Sequence, residues 1–83
     1  MFIRMQRSLA KMNTEDCLIS MDKVNIRIEL EKCGKYKIKT EGGEVVYTIG
    51  IFNSFEKAVK AMDYIYEQIL TGSKICTVPE DNF

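Results

Sequence analysis

The chain has 83 residues, twelve basic and twelve acidic side chains, and a formal net charge of zero. That length suits one domain with a modest core, and a neutral balance lacks the basic field of a strong nucleic-acid binder. No apolar run approaches the roughly 20 residues of a membrane span, and Arg4, Gln6 and Arg7 interrupt any apolar signal-peptide core.

In chain order, Phe2-Ile3-Arg4-Met5 reads as a short first strand. The polar stretch from Gln6 to Asp16 reads as a loop or helical turn; the alternative is a short basic helix, because Arg4, Arg7 and Lys11 are spaced for one face. Residues 1–16 thus form an N-terminal strand and loop. Cys17, Ile19 and Met21 alternate with Leu18 and Ser20, a weak strand signal, and Asp22-Lys23 follows as a tight turn. Val24, Ile26, Ile28 and Leu30 alternate with Asn25, Arg27, Glu29 and Glu31, the clearest strand in the chain. Cys33-Gly34-Lys35 ends it. Tyr36, Ile38 and Thr40 then alternate with Lys37 and Lys39, and Gly42-Gly43 suits a two-residue hairpin turn into a strand from Val45 to Phe52.

These turns set an expected register. Gly42-Gly43 pairs Thr40 with Val45, Ile38 with Tyr47 and Tyr36 with Ile49. A three-residue loop at Cys33 to Lys35 pairs Leu30 with Ile38 and Ile28 with Thr40, and sets Glu31, Glu29 and Arg27 opposite Lys37, Lys39 and Glu41. A turn at Asp22-Lys23 pairs Ile19 with Ile26. All three keep the apolar row on one face, so residues 17–52 read as an antiparallel meander.

Phe55, Ala58, Val59, Met62, Ile65, Tyr66 and Ile69 recur at three- and four-residue steps, which places an amphipathic helix over 54–71. Ser54 is its expected N-cap, with Asn53 and a Glu56 capping box as the alternative, and Gly72 its stop. The tail, 73–83, adds either a short edge strand or a mobile end. The expected architecture is α+β in two layers: a meander of four to five strands covered on one face by one C-terminal helix.

Chemistry is sparse. Histidine is absent, which removes the commonest general base and transition-metal ligand. Cys17, Cys33 and Cys76 form no Cys-x-x-Cys pair, so neither a disulfide framework nor a zinc site is expected, and a reducing cytoplasm is the simplest setting. Cys33, between Lys32 and Lys35, is the one candidate reactive thiol, with an ordinary surface cysteine as the competing reading. No catalytic residue, metal or cofactor is assigned, and a non-enzyme is expected.

Three features suggest binding. The outer sheet face carries Arg27, Lys37 and Lys39, which could attract an anion, although the expected register sets each against a glutamate and a self-compensated solvated face is the alternative. Arg4, Arg7 and Lys11 form a basic cluster with no acid before Glu15, suited to a phosphate, a nucleotide or an acidic protein surface. A solvated basic N-terminus is the alternative. Val46 and Phe52, expected on the outer sheet face, and Tyr64, on the polar side of the helix, suggest an interface and hence a homo-oligomer.

Phe2-Ile3-Arg4 with Gln6, and the segment from Ile49-Gly50-Ile51-Phe52-Asn53-Ser54 through Asp63-Tyr64-Ile65, resemble short uncharacterised accessory proteins of phages, prophages and mobile elements of Gram-positive bacteria. Met5 stands where those proteins usually carry serine, and the stretch from Arg7 to Glu15 and the tail after Gly72 are unmatched. The resemblance implies a viral accessory protein of the host cytoplasm that sequesters or blocks a host factor, either a defence protein or a nucleotide signal. A small nucleic-acid-binding regulator is the alternative.

Overall fold

A computed structural model describes residues 1–22 and 24–81. Lys23, half of the expected Asp22-Lys23 turn, and the tail's end at 82–83 lie outside the described residues. The elements in order are β1 (Phe2–Arg4), α1 (Arg7–Asn13), β2 (Leu18–Ser20), β3 (Asn25–Leu30), β4 (Tyr36–Glu41), β5 (Thr48–Phe52), α2 (Phe55–Leu70) and β6 (Ile75–Thr77). The α+β class and the C-terminal helix packed on strands match the sequence expectation. The strands divide into two three-stranded sheets, ordered β2-β1-β6 and β3-β4-β5.

The division differs from a single meander at β2. Instead of returning along β3, β2 pairs antiparallel with β1, with Ile3 opposite Ile19. The tail supplies β6, parallel to β1 on its other side, with Cys76 opposite Ile3. These three residues make the buried row of the first sheet, while Phe2, Arg4, Leu18, Ser20, Ile75 and Thr77 face solvent. One shared core joins Ile3, Ile19 and Cys76 to Ile38, Ile49, Phe52, Ala58, Ala61, Ile65 and Val78.

The β3–β4 register is displaced by two residues. Leu30 faces Tyr36 and Ile28 faces Ile38, because the loop closes with the Glu31 N–H donating to the Lys35 carbonyl and Gly34 at positive φ. An even displacement preserves the faces. The expected charge partners still meet, now diagonally: Lys37 with Glu31 at 3.6 Å, Lys39 with Glu29 at 3.5 Å and Arg27 with Glu41 at 3.6 Å.

The next connection does change faces. Gly42 alone of the glycine pair takes positive φ, and no two-residue turn forms. Residues 42–47 instead make a longer loop, and β5 slides so that Tyr36 faces Phe52 and Ile38 faces Gly50. Ile49 is then an extra residue before Lys39 meets Thr48, a β-bulge. The odd slip turns Phe52 from the expected outer face into the core, where it is 0% exposed. It leaves Val45 and Val46 in the exposed loop. Phenylalanine carries more apolar surface than valine, so the slipped register buries the larger group. Gly50 is required beside it: a Cβ there would lie 2.9 Å from both the Phe52 ring and a Val78 methyl.

α2 starts where the sequence indicates. Ser54 is extended, and its hydroxyl accepts the Lys57 N–H at 3.2 Å. Gly72 follows the Thr71 cap with positive φ. The buried stripe is narrower and rotated relative to the expected face. Ala58, Ala61 and Ile65 are buried, whereas Phe55, Tyr66 and Ile69 are exposed. Small residues at 58 and 61 let the helix approach the sheets closely.

Gln6 joins the two sheets. It is 1% exposed. Its N–H donates to the Ile49 carbonyl at 2.7 Å. Its side-chain oxygen accepts the Ile51 N–H at 3.0 Å. Its side-chain nitrogen donates to the carbonyls of Ile51, at 3.3 Å, and Pro79, at 3.1 Å. The amide thus takes the place of a neighbouring strand along β5.

Replacing Ile65 with alanine should cost about 2–5 kcal/mol, the range for buried large-to-small changes, whereas Lys60→Ala should stay within about 0.5 kcal/mol. Chemical denaturation of both variants measures the difference, and equal costs would place the buried face elsewhere. Gln6→Leu should cost about 1–3 kcal/mol, since it leaves the partly buried backbone groups of Ile51 and Pro79 without their partner. Amide hydrogen exchange at Ile51 should accelerate in that variant.

Candidate functional site

The end of α1 folds the chain back beside β1. Thr14 caps the helix in the left-handed region, φ 49°, the one non-glycine residue there among those described. The Glu15 N–H then donates to the Ala10 carbonyl at 2.9 Å. This reversal brings Glu15 and Asp16 back towards Arg4, which the outer face of β1 presents to solvent.

Arg4 and Asp16 form a bidentate pair. The Arg4 Nε donates to the two Asp16 carboxylate oxygens at 3.0 and 3.2 Å, and Nη2 donates to Oδ2. The hydrogen bond from Arg4 holds the Asp16 carboxyl below the usual carboxylate range, with smaller help from charge attraction and the Cys17 N–H. The same bond raises the Arg4 guanidinium's pKa. Both side chains are substantially exposed, so the pair's contribution to stability is small. Its value is orientation, because a guanidinium fixed by two parallel bonds presents its remaining donors in one direction.

Arg7 and Lys11 lie one helical turn apart on α1, a spacing that stacks them on one side. With Arg4, Ala10, Thr14, Glu15 and Asp16 they line one open cleft of about 330 Å³. The three basic residues singled out from the sequence therefore share a site. Arg7 and Lys11 make no ion pair among the described residues, whereas Arg4 is already compensated by Asp16. The sequence shows no acid near Arg4 before Glu15, and the fold supplies one in Asp16. Arg4 also borders two adjoining hollows: one of about 370 Å³ with Cys17, Leu18, Ile75 and Thr77, and one of about 460 Å³ with Met5, Arg7, Val78, Pro79 and Glu80. Glu80 reaches back to accept the Ser8 N–H at 2.9 Å, which ties the tail to α1 at the rim.

The expected interface residues do not form one surface. Val46 is 64% exposed in the loop before β5, Tyr64 is 46% exposed on α2, and Phe52 lies in the core. The interface role assigned to Phe52 is withdrawn, because the β5 bulge turns it inward. Sequence reasoning missed Thr14, Glu15 and Asp16 as cleft residues. A threonine in the left-handed region carries no local signature, and the reversal it creates is what brings Asp16 to Arg4.

Burial raises the pKa of the Cys17 thiol, with Glu15 and Asp16 adding to the effect, and burial likewise raises that of Cys76. Both are therefore poor nucleophiles. Cys33 is exposed in the β3–β4 turn. Among the described residues no group of three or more cysteine, aspartate or glutamate side chains is arranged to hold a metal ion, and no helix is long and apolar enough to cross a membrane. No protein-family model, curated protein or solved structure matches this chain.

A depressed aspartate contributes stability above its unfolded-state pKa and loses it as pH falls through the lower folded value. A carboxyl-detected NMR titration should therefore find Asp16 still ionised below the ordinary aspartate range. Arg4→Gln should return it to that range. An ordinary Asp16 titration in the unmodified protein would mean that the pair does not hold in solution.

Proposed function

We propose that this chain is a small non-enzymatic binding protein of the phage accessory type, which sequesters or blocks a host factor by taking an anionic group into the cleft of Arg4, Arg7 and Lys11. The observation that carries this reading is the division of labour in the cleft. Arg4 is anchored by Asp16, while among the described residues Arg7 and Lys11 make no ion pair, although the Arg7 charge also helps to lower the Asp16 pKa. An immobilised guanidinium next to two available cations suits a phosphate-bearing ligand, because Arg4 loses little further freedom on binding. The cleft's volume lies at the lower end of the range for small-molecule sites. Glu15 and Asp16 in the same wall oppose a bulk polyanion. A compact ligand that reaches Arg7 and Lys11 while avoiding the two carboxylates is favoured over a duplex backbone.

The ligand class that fits is a nucleotide-like signal or an acidic segment of a host defence protein. Countering host defence by holding such a ligand agrees with the sequence resemblance to phage accessory proteins. The competing reading, a nucleic-acid-binding regulator, predicts many phosphate contacts and a steep loss of affinity with salt.

Isothermal titration with cyclic dinucleotides and ADP-ribose-type nucleotides as probes tests the reading. Binding of one of these probes is expected, weakened about tenfold or more by Arg7→Ala or Lys11→Ala, in line with charge-assisted hydrogen bonds. Random-sequence duplex DNA should show no saturable binding at physiological salt. Tight, steeply salt-dependent DNA binding would favour the regulator instead.

A further inference from the structure

β3 ends its sheet, and among the described residues no backbone group pairs with its outer edge. The direction of its backbone groups follows from the turn. Glu31 donates its N–H to Lys35, so Glu31 points towards β4, and Glu29, Arg27 and Asn25 follow at two-residue steps. Thr40 donates across to Tyr47, which agrees, since it makes the odd-numbered residues of β4 face β3. The N–H and C=O groups of Ile26, Ile28 and Leu30 therefore point outward, with no hydrogen-bond partner among the described residues. The strand has no proline, and the sheet's bulge lies on β5. Its apolar row is also incompletely covered, because α2 packs chiefly on β4, β5 and β6. Ile26 and Ile28 are half-buried and Leu30 is 59% exposed.

We propose that this edge pairs with the same edge of a second copy, antiparallel about a twofold axis at Ile28, joining two three-stranded sheets into one. The register is selected by charge. With Ile28 opposite Ile28, Ile26 meets Leu30 on the apolar face, and Arg27 of each copy meets Glu29 of the other on the polar face. The outward-pointing residues then exchange both hydrogen bonds at each such pair. Moving the register by two in either direction sets Arg27 against Arg27 or Glu29 against Glu29, and like charges directly opposite are destabilising. Moving it by one puts the apolar row on the wrong face. Within one copy Arg27 already reaches Glu29 at 3.2 Å and Glu41 at 3.6 Å, and Glu29 reaches Lys39 at 3.5 Å. The second copy extends that alternation without opposing like charges. Charges on an edge strand commonly prevent pairing; here their order is self-complementary, so they direct the edge to a copy of itself.

The pairing is independent of what the Arg4 cleft holds. Sedimentation velocity across a micromolar to submillimolar series should show a reversible dimer for the unmodified chain. R27E and E29R alone should each raise the dimer Kd by about tenfold or more, because two symmetry-related pairs become repulsive. Mixing the two variants should restore a one-to-one heterodimer, since one then carries arginine at both positions and the other glutamate. That rescue requires both variants to be folded, and circular dichroism of each confirms it. Ile28→Pro, which removes the central outward N–H from an edge position where proline is tolerated, should also give a monomer. A monomeric unmodified chain throughout the series overturns the proposal and leaves the edge to a strand from another protein. A dimer that survives both charge reversals places the interface elsewhere and overturns it equally.

Discussion

One side-chain amide ties the backbones of the two sheets together at the margin of their shared core. A small chain that splits its strands into two sheets must satisfy the backbone of each inner edge, because a buried unpaired N–H or C=O costs about 1–3 kcal/mol. β5 has β4 on one side only. On the other side Gln6 donates from its backbone to Ile49, and its side chain answers both the N–H and the carbonyl of Ile51. The same amide nitrogen reaches Pro79 and fixes the chain beyond β6. β1, the start of α1 and the tail are therefore all referred to one point on β5. No aliphatic residue can make these bonds, and a shorter amide would have to draw the backbone closer.

The device recurs at the opposite margin. Gln68, on α2, accepts the Thr77 N–H and donates to the Thr77 carbonyl, both at 2.9 Å, and so covers the outer edge of β6 at Thr77. Asp81 accepts the Asn53 N–H at 3.1 Å just past β5. Side chains thus serve as edge covers where a longer protein would add strands. This sharpens the contrast with β3, a longer strand that receives no such cover among the described residues. The outer edge of the short strand β2 also lacks such a cover among the described residues, so what sets β3 apart is its length and the order of its charges.

How far the sequence was readable depended on the range of the interactions. The bounds of α2 came within one residue at each end, because Ser54 and Gly72 act locally. The faces of β3 and β4 were correct because alternation survives an even slip. β5 was misread because a Gly-Gly pair implies a tight turn, while the slip that buries Phe52 is decided by the whole core. The separation into two sheets was illegible for a related reason. Nothing between residues 17 and 21 distinguishes pairing with β1 from pairing with β3, and the choice rests on Gln6 and on a strand supplied by the distant tail. For the candidate site, the basic cluster was legible as a spacing of Arg4, Arg7 and Lys11. Its anchoring by Asp16 was not, because it depends on the left-handed turn at Thr14.

The proposed anion site and the proposed dimer edge lie on different sheets. The basic cleft is built from β1, α1 and the reversal after Thr14, all belonging to the first sheet and its connection. The open edge belongs to β3, at the outer margin of the other sheet. A dimer joined through β3 therefore carries two complete clefts, each made by one chain, and not one cleft shared across the axis. In the proposed dimer, assembly would act on binding through valency, not by completing a site. Two identical clefts held at a fixed separation by a continuous sheet would retain a target that offers two anionic groups, because the second contact becomes intramolecular. A ligand with only one such group would gain nothing from the pairing. A protein of this size has little surface to spare, and the proposed pairing, because it uses backbone groups of β3, would leave the charged side chains of the first sheet and α1 exposed.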